Sequence, residues 1–268
     1  MLLARVLTGL ALIVGVYFLV FYGTALYFFL LVAVAILFSQ REFYALLLPG
    51  ASGYLKLVGG LVSLTLVSFI YFGWPDQALT FLALGAIAVM AIGLMASTDF
   101  GKNINEVSIS LLGVLYIGLL LSFLVMIRNQ PLGQGLVFLV FLLTWAQDVG
   151  AFFVGRFFGK RKLFPTLSPG KTLEGFLAGL FLATLLAGLS RGLLVQELGV
   201  IPRLFLGLGL GLIGPLGDLF ESMLKRSVGV KDTGRVFPGH GGFLDRVDSL
   251  LFGGPFAYYY LRVVFPAG

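Results

Sequence analysis

The sequence predicts an all-α polytopic membrane protein with about nine transmembrane helices, and three observations support this prediction. Only 11% of the 268 residues are charged and 59% are hydrophobic, whereas soluble domains carry about 25% charged residues. The mean hydropathy is +1.04. Apolar runs of about 20 residues, the length of a helix that crosses a bilayer, recur along the whole chain. We therefore expect lipid to surround most of the protein.

The composition also limits the chemistry and the partners. The chain has no cysteine, which excludes disulfides and thiolate metal sites. The formal net charge is +6, but the bases lie in short segments between apolar runs and do not form the basic soluble face that nucleic-acid binding needs. Bases in such short segments are better explained by binding to anionic lipid or to a phosphate-bearing substrate. We expect no nucleic-acid partner.

The first five predicted spans form an N-terminal scaffold region, residues 1–130. Arg5 precedes a long apolar run, but no small-residue cleavage site leads into a polar mature domain, so we expect the first helix to be retained. Arg41 and Glu42 end the second span, where we interpret them as a local ion pair or an interface anchor. None of these residues indicates a function. The five spans are predicted at approximately 4–22, 24–40, 56–73, 77–96 and 107–127.

The last four predicted spans form a catalytic region, residues 131–268. Thr172 and Ser168 are candidate caps for the seventh helix. The eighth span is rich in glycine, which favours close packing inside the bundle. The pair Gly214-Pro215 is expected to bend or break this span just before Asp218. The four spans are predicted at approximately 135–155, 173–193, 201–217 and 247–265.

The distribution of the bases predicts the orientation in the membrane. With nine spans, 14 of the 18 Lys and Arg residues lie on the same side as the N-terminus. The positive-inside rule then places the N-terminus in the cytoplasm and the C-terminus on the opposite side. The two charged loops, 156–172 and 218–246, lie together on the cytoplasmic face. We therefore expect a multi-pass protein of the cell inner (plasma) membrane with one composite active site on that face.

The polar segment 218–248 has the residue types that bind metal and phosphate. If the eighth helix continues beyond its glycine-proline pair, Asp218, Ser222 and Lys225 share one helix face. A carboxylate, a hydroxyl and an ammonium group in line suit Mg²⁺–phosphate binding. A helix end that emerges into water explains the same three residues. Around His240, the glycine-rich run leaves backbone amides open to an anion.

Two acids at the start of the ninth span extend this candidate site. Asp245 and Asp248 share a helix face, and acids stabilise the N-terminus of a helix. Capping is therefore the alternative to a metal cradle formed with Asp218. Asp148 is an isolated carboxylate in the sixth span, and such acids face a polar cavity or a partner. Lys171 lies between a turn and a helix start, which both favour anions.

A long sequence pattern covers the C-terminal half of this region. It reads serine, any residue, apolar, Lys-Arg, four residues of any type, Lys-Asp, and a small residue two positions after that Asp. After an apolar residue and proline it continues with His-Gly-Gly, apolar, any residue, Asp-Arg, apolar and Asp. This pattern resembles the phosphatidate cytidylyltransferase (CDP-diacylglycerol synthase) family, as do the segments 148–160 and 168–175. The matching residues are Ser222, Leu224, Lys225, Arg226, Lys231, Asp232, Gly234, Phe237, Pro238, His240, Gly241, Gly242, Phe243, Asp245, Arg246, Val247 and Asp248.

The resemblance implies transfer of the cytidylyl group of CTP to phosphatidic acid, which gives CDP-diacylglycerol and pyrophosphate. It implies one or two Mg²⁺ ions held by Asp218, Asp245 and Asp148. Catalytic roles are expected for Asp218, Asp245, Lys225 and Asp248. Substrate-phosphate contacts are expected from Ser168, Lys171, Ser222, Lys225, Arg226, Lys231, His240 and Arg246.

The implied partners are CTP, phosphatidic acid and the membrane lipid bilayer, and the content of small residues is compatible with a homodimer. Three alternatives stay open. They are a CTP-dependent polyprenol kinase, another lipid cytidylyltransferase, and a membrane transporter, whose charges would lie near the middle of the bilayer.

Overall fold

The computed structural model describes residues 13–51, 53–190, 194–234 and 241–265, and most of these residues are helical. Helices α5 and α6 are the two halves of one continuous helix, joined by the π-helical segment Val114–Leu119. The helices are α1 (Ile13–Tyr22), α2 (Ala25–Leu47), α3 (Gly53–Tyr71), α4 (Pro75–Ala96), α5 (Phe100–Gly113), α6 (Leu120–Arg128), α7 (Gly133–Phe158), α8 (Leu173–Leu189), α9 (Val200–Ser227) and α10 (Leu244–Val264).

Six of the described helices are long and apolar enough to cross a membrane: α2, α3, α4, the continuous helix Phe100–Arg128, α7 and α9. The described parts of α1 and α8 are apolar but shorter. Helix α10 has 21 residues and four charged side chains, and it is not among the six. The predicted helical, multi-span architecture is confirmed in outline, and the number of nine spans stays a prediction.

The core of the bundle joins the two halves of the chain. Buried side chains of α2, such as Phe43, lie in one cluster with Leu121 of α6, Leu139 of α7 and Leu251 of α10. Outside this core, large apolar side chains are exposed along the helices, as they are on α4. This distribution is typical of helices whose outer faces contact lipid tails, because lipid does not drive apolar side chains inward.

Helices α7 and α8 pack with almost no side-chain volume between them. A Cβ atom added at Gly175 would lie 2.6 Å from the carbonyl oxygen of Ala151 and 2.9 Å from the Cα of Gly155. One turn further along, a Cβ at Gly179 would lie 2.5 Å from the carbonyl oxygen of Gln147. Small residues therefore set the distance between the two helices.

We expect the substitution Gly179→Leu to destabilise the bundle. The new side chain has to displace the backbone of α7, and overpacking of this kind costs about 1–3 kcal/mol. Unfolding in detergent with increasing sodium dodecyl sulfate measures the change. The matched control is Gly15→Leu on α1, where an added Cβ meets no heavy atom within 4 Å. Equal stability of the two variants would contradict this packing.

The predicted end of the eighth span at residue 217 is wrong. Helix α9 continues through Pro215 to Ser227, and α10 begins at Leu244. The connection is thus much shorter than the predicted loop 218–246. Proline removes one helical hydrogen bond, but neighbouring helices can keep such a helix continuous in a membrane protein. Here α8 and α10 pack against the glycine residues of α9, including Gly211 and Gly217.

Two further boundaries differ from the prediction. Helix α2 does not end at residue 40 but extends to Leu47, because the polar side chains of Gln40 and Glu42 bind partners inside the bundle. The protein is also not entirely α-helical. Within the predicted loop 156–172, strands β1 (Lys162–Phe164) and β2 (Ser168–Thr172) form a short antiparallel hairpin.

Candidate active site

A cleft of about 880 Å³ lies between α7, α8, α9, α10 and the β-hairpin. Its volume is within the range of about 300–1,000 Å³ that is usual for small-molecule sites. Apolar side chains form much of its wall. The predicted site residues that line it come from both polar segments of the sequence and are Asp148, Ser168, Lys171, Asp218, Asp245 and Asp248.

Three carboxylates form a cluster at the meeting point of α9 and α10. Asp218, Glu221 and Asp248 each offer an oxygen atom, and these atoms all lie within 4.8 Å of one another. The first two share a face of α9 because they are three residues apart. Gly217 brings α10 close, since a Cβ at this position would overlap the carbonyl oxygen of Asp248. The helix continuation through Pro215 is what places Asp218 and Glu221 in this cluster.

Lys171 of the hairpin reaches across the cleft to α9. Its Nζ lies 2.7 Å from Oδ2 of Asp218, and both side chains are partly exposed. The other oxygen of Asp218 accepts a hydrogen bond of 3.3 Å from the hydroxyl of Ser222, one turn later on α9. The structure thus brings one predicted phosphate ligand into contact with one predicted metal ligand.

Lys225 connects two acids and is largely buried. Its Nζ lies 2.6 Å from Oε2 of Glu221 and 2.7 Å from Oδ1 of Asp245. The second oxygen of Asp245 accepts hydrogen bonds from the backbone amides of Thr233 and Gly242, and contacts the Thr233 hydroxyl at 3.0 Å. Both oxygens of Asp245 are therefore engaged by protein groups. Removal of Lys225 would leave two carboxylates without their shared cation.

Among the described residues, five of the predicted substrate-binding residues do not line the cleft: Ser222, Lys225, Arg226, Lys231 and Arg246. Arg226 is exposed and donates to the backbone carbonyls of Val230 and, more weakly, Leu167, which ties the end of α9 to the hairpin. Lys231 is exposed beyond the end of α9, and Arg246 is exposed on the first turn of α10. His240 lies outside the described residues.

Sequence reasoning assigned no role in the site to two buried acids. Glu221 is fully buried in the carboxylate cluster, and its position three residues after Asp218 places the two acids on one face of α9. The interpretation of Glu42 as an ion pair with Arg41 or an interface anchor is wrong. Neighbouring residues on a helix do not face each other, and Glu42 instead binds the start of α10, which follows it by about 200 positions. Helix geometry alone could therefore have indicated that Glu42 does not pair with Arg41.

The carboxylate cluster fits a divalent cation of the Mg²⁺ type. Such ions prefer oxygen ligands, and three carboxylates supply them here. Oε1 of Glu221 is buried and has no hydrogen-bond partner among the described residues. Around this cleft the carboxylates outnumber the cations, so an added positive charge would reduce the repulsion between them.

Long apolar helices around a cleft of carboxylates and lysines are typical of a multi-pass membrane protein that acts on phosphate-bearing substrates. Comparison with known proteins is more specific. The model of the cytidylyltransferase family matches residues 3–264. The chain belongs to this family.

Curated relatives agree with this assignment. A phosphatidate cytidylyltransferase of Bacillus subtilis (strain 168) is 36% identical over 268 residues, which cover 97% of each chain. An enzyme of the same name from Staphylococcus aureus (strain COL) is 38% identical over 202 residues, or 73% of this chain and 76% of the relative. A third, from Staphylococcus epidermidis (strain ATCC 35984), is 32% identical over 202 residues, or 74% of this chain and 77% of the relative.

Proposed function

We propose that this protein is a phosphatidate cytidylyltransferase, which converts CTP and phosphatidic acid to CDP-diacylglycerol and pyrophosphate in phospholipid biosynthesis. The observation that carries the proposal is the composite cleft, in which carboxylates of three helices lie beside a lysine of the hairpin. The names of the relatives supply the substrate class.

In the proposed reaction, a phosphate oxygen of phosphatidic acid attacks the α-phosphorus of CTP. The new P–O bond forms as the bond to the β-phosphate oxygen breaks, and pyrophosphate leaves with the electron pair. No covalent enzyme intermediate is needed, so the protein has to align the two phosphates and neutralise their charge. Lys171 contacts Asp218 in the absence of substrate. When substrate binds, its ammonium group is well placed to leave Asp218 and bind a phosphate oxygen instead.

Asp218, Glu221 and Asp248 would hold a divalent ion, and Asp148 is a further proposed ligand at the same cleft. When bound, Mg²⁺ supplies positive charge that stabilises the triphosphate and the leaving pyrophosphate. The sequence also proposes Asp245 as a ligand, and that role would require it to release Lys225. We assign Asp245 primarily to hold Lys225 in its contact with Glu221.

We propose nine membrane spans, with the N-terminus in the cytoplasm, the C-terminus on the opposite side and the cleft at the cytoplasmic face of the inner membrane. The contact of Lys171 with Asp218 and that of Glu42 with Phe243 support a single polar end of the bundle. Apolar wall residues such as Phe176 and Leu216 suit a lipid that keeps its acyl chains in the bilayer. CTP would enter from the water. We keep the homodimer as a proposal.

A substrate panel with the purified protein in detergent tests the proposed function. With CTP labelled at the α-phosphate, phosphatidic acid should become labelled CDP-diacylglycerol, and γ-labelled CTP should label only pyrophosphate. A polyprenyl phosphate labelled from γ-labelled CTP would instead identify a kinase. Product formed in detergent cannot result from transport, because no sealed compartment exists. Absence of labelled lipid with phosphatidic acid would overturn the proposal.

A further inference from the structure

The start of α10 is capped by an acid from a distant helix. Oε1 of Glu42, on α2, accepts a hydrogen bond of 2.9 Å from the backbone amide of Phe243, and Oε2 accepts one of 2.9 Å from that of Leu244. The first amides of a helix have no partner within it, and Phe243 has no side-chain group that can cap them. Glu42 is only 7% exposed, so it replaces a local cap inside the bundle.

Thr233 connects this cap to the candidate site. Its hydroxyl oxygen lies 3.0 Å from Oε2 of Glu42 and 3.0 Å from Oδ2 of Asp245. A threonine hydroxyl has one proton to donate. Two carboxylates therefore share one donor, so we expect a change at Glu42 to alter the hydrogen bond that Asp245 receives.

The backbone of two glycine residues approaches this contact closely. A Cβ at Gly234 would overlap the carboxylate of Glu42, and a Cβ at Gly242 would overlap both Glu42 and the Thr233 hydroxyl. Glu42 therefore packs closely against the described residues of the segment between α9 and α10. On the other side of Asp245, Lys225 completes a chain of contacts that runs from α2 to the cleft.

We propose that Glu42 and Thr233 are positioning residues for the transfer reaction, which act through Asp245 and Lys225 without touching a substrate. Glu42 holds the first turn of α10 in place. Thr233 contacts both Glu42 and Asp245, and so links the position of Asp245 to that of Glu42. The inference rests on the proposed function for its kinetic consequence. Its structural consequence, an ordered start of α10, is independent of any substrate.

The kinetic test compares Glu42→Gln, Thr233→Val and the double variant. We expect each single substitution to lower kcat by about tenfold or more, with a change in KM for CTP of less than about threefold, because neither residue binds substrate. The double variant should be little slower than the slower single variant, since both substitutions break the same contact. Thr233→Ser, which keeps the hydroxyl, should recover most of the rate.

The matched control is Glu106→Gln, which changes another buried acid on α5 that pairs with Lys102 and lies outside the candidate site. Its kcat should stay within about twofold of the unsubstituted protein. Hydrogen exchange provides the second measurement. Amides at the start of α10 should exchange faster in Glu42→Gln, whereas Glu106→Gln should leave them unchanged.

Three results would overturn this inference: unchanged exchange at the start of α10 in Glu42→Gln, fully multiplicative losses of kcat in the double variant, or a kcat per folded molecule that stays intact in both single variants. A merely structural role would lower the thermal stability of both single variants and leave kcat per folded molecule intact. If the unsubstituted protein makes no CDP-diacylglycerol, the proposed function fails, and the exchange experiment still decides whether Glu42 orders α10.

Discussion

The substitution Asp218→Asn is expected to lower cytidylyl transfer by about a thousandfold or more, while the bundle stays folded. Asp218 is the one residue in the described structure that joins the carboxylate cluster, the hairpin lysine and the Ser222 hydroxyl. The amide keeps the shape of the side chain but removes one negative charge from the proposed metal ligands, where charge is essential. Turnover with labelled CTP and phosphatidic acid measures the loss.

The control for this prediction is Asp76→Asn, which changes an exposed acid on the first turn of α4 and should leave turnover unchanged. If Asp218 binds the ion, residual activity of Asp218→Asn should also require more Mg²⁺ than the unsubstituted protein. Chelation of divalent ions should abolish turnover in both, and Mg²⁺ should restore it. Full activity of Asp218→Asn at ordinary Mg²⁺ would remove this residue from the proposed metal site.

The second large effect is expected for Lys225→Met, which should reduce both stability and activity. Methionine fills a similar volume but leaves Glu221 and Asp245 without their shared cation. Removal of one partner from a buried ion pair destabilises by about 3–5 kcal/mol. Detergent-based unfolding measures this change, and turnover per folded molecule should fall by about a hundredfold or more because Asp245 loses its position.

Lys102→Met provides the comparison for this substitution. Lys102 pairs with Glu106 at 3.8 Å, and its side chain is 54% exposed. Glu106 is buried, but a pair of this length whose lysine is exposed to water contributes only about 0–1 kcal/mol, so the loss of Lys102 should be small. Where Lys225→Met does not accumulate as folded protein, Lys225→Arg keeps the charge and tests the geometry alone. Equal stability of Lys225→Met and Lys102→Met would contradict a structural role for the buried pairs.

The sequence predicts those parts of the site that depend on local periodicity. Asp218, Ser222 and Lys225 share a face once the helix continues, and the structure places them there. The two charged segments were expected to meet, and the contact between Lys171 and Asp218 joins them. Both predictions follow from helix geometry and from the separation of charge along an apolar chain.

The parts that sequence reasoning missed depend on contacts between distant segments. The glycine-proline pair signals a helix break, but packing of α8 and α10 on the glycine residues keeps α9 continuous. A propensity argument has no information about such neighbours. Glu42 lies about 200 positions before the amides that it caps, so no local pattern identifies them. The pairing of the hairpin strands likewise depends on which residues face each other in the folded chain.

The long-range cap on α10 has a consequence for the size of the smallest functional unit. The recognisable motifs all lie in residues 131–268, which invites their excision as a minimal enzyme. That fragment would lack the carboxylate that binds the first amides of α10, and it would expose the core faces that contact Phe43 and Leu121. We therefore expect the N-terminal helices to support the candidate site, and we expect a fragment cut at the boundary that the motifs suggest to lose stability.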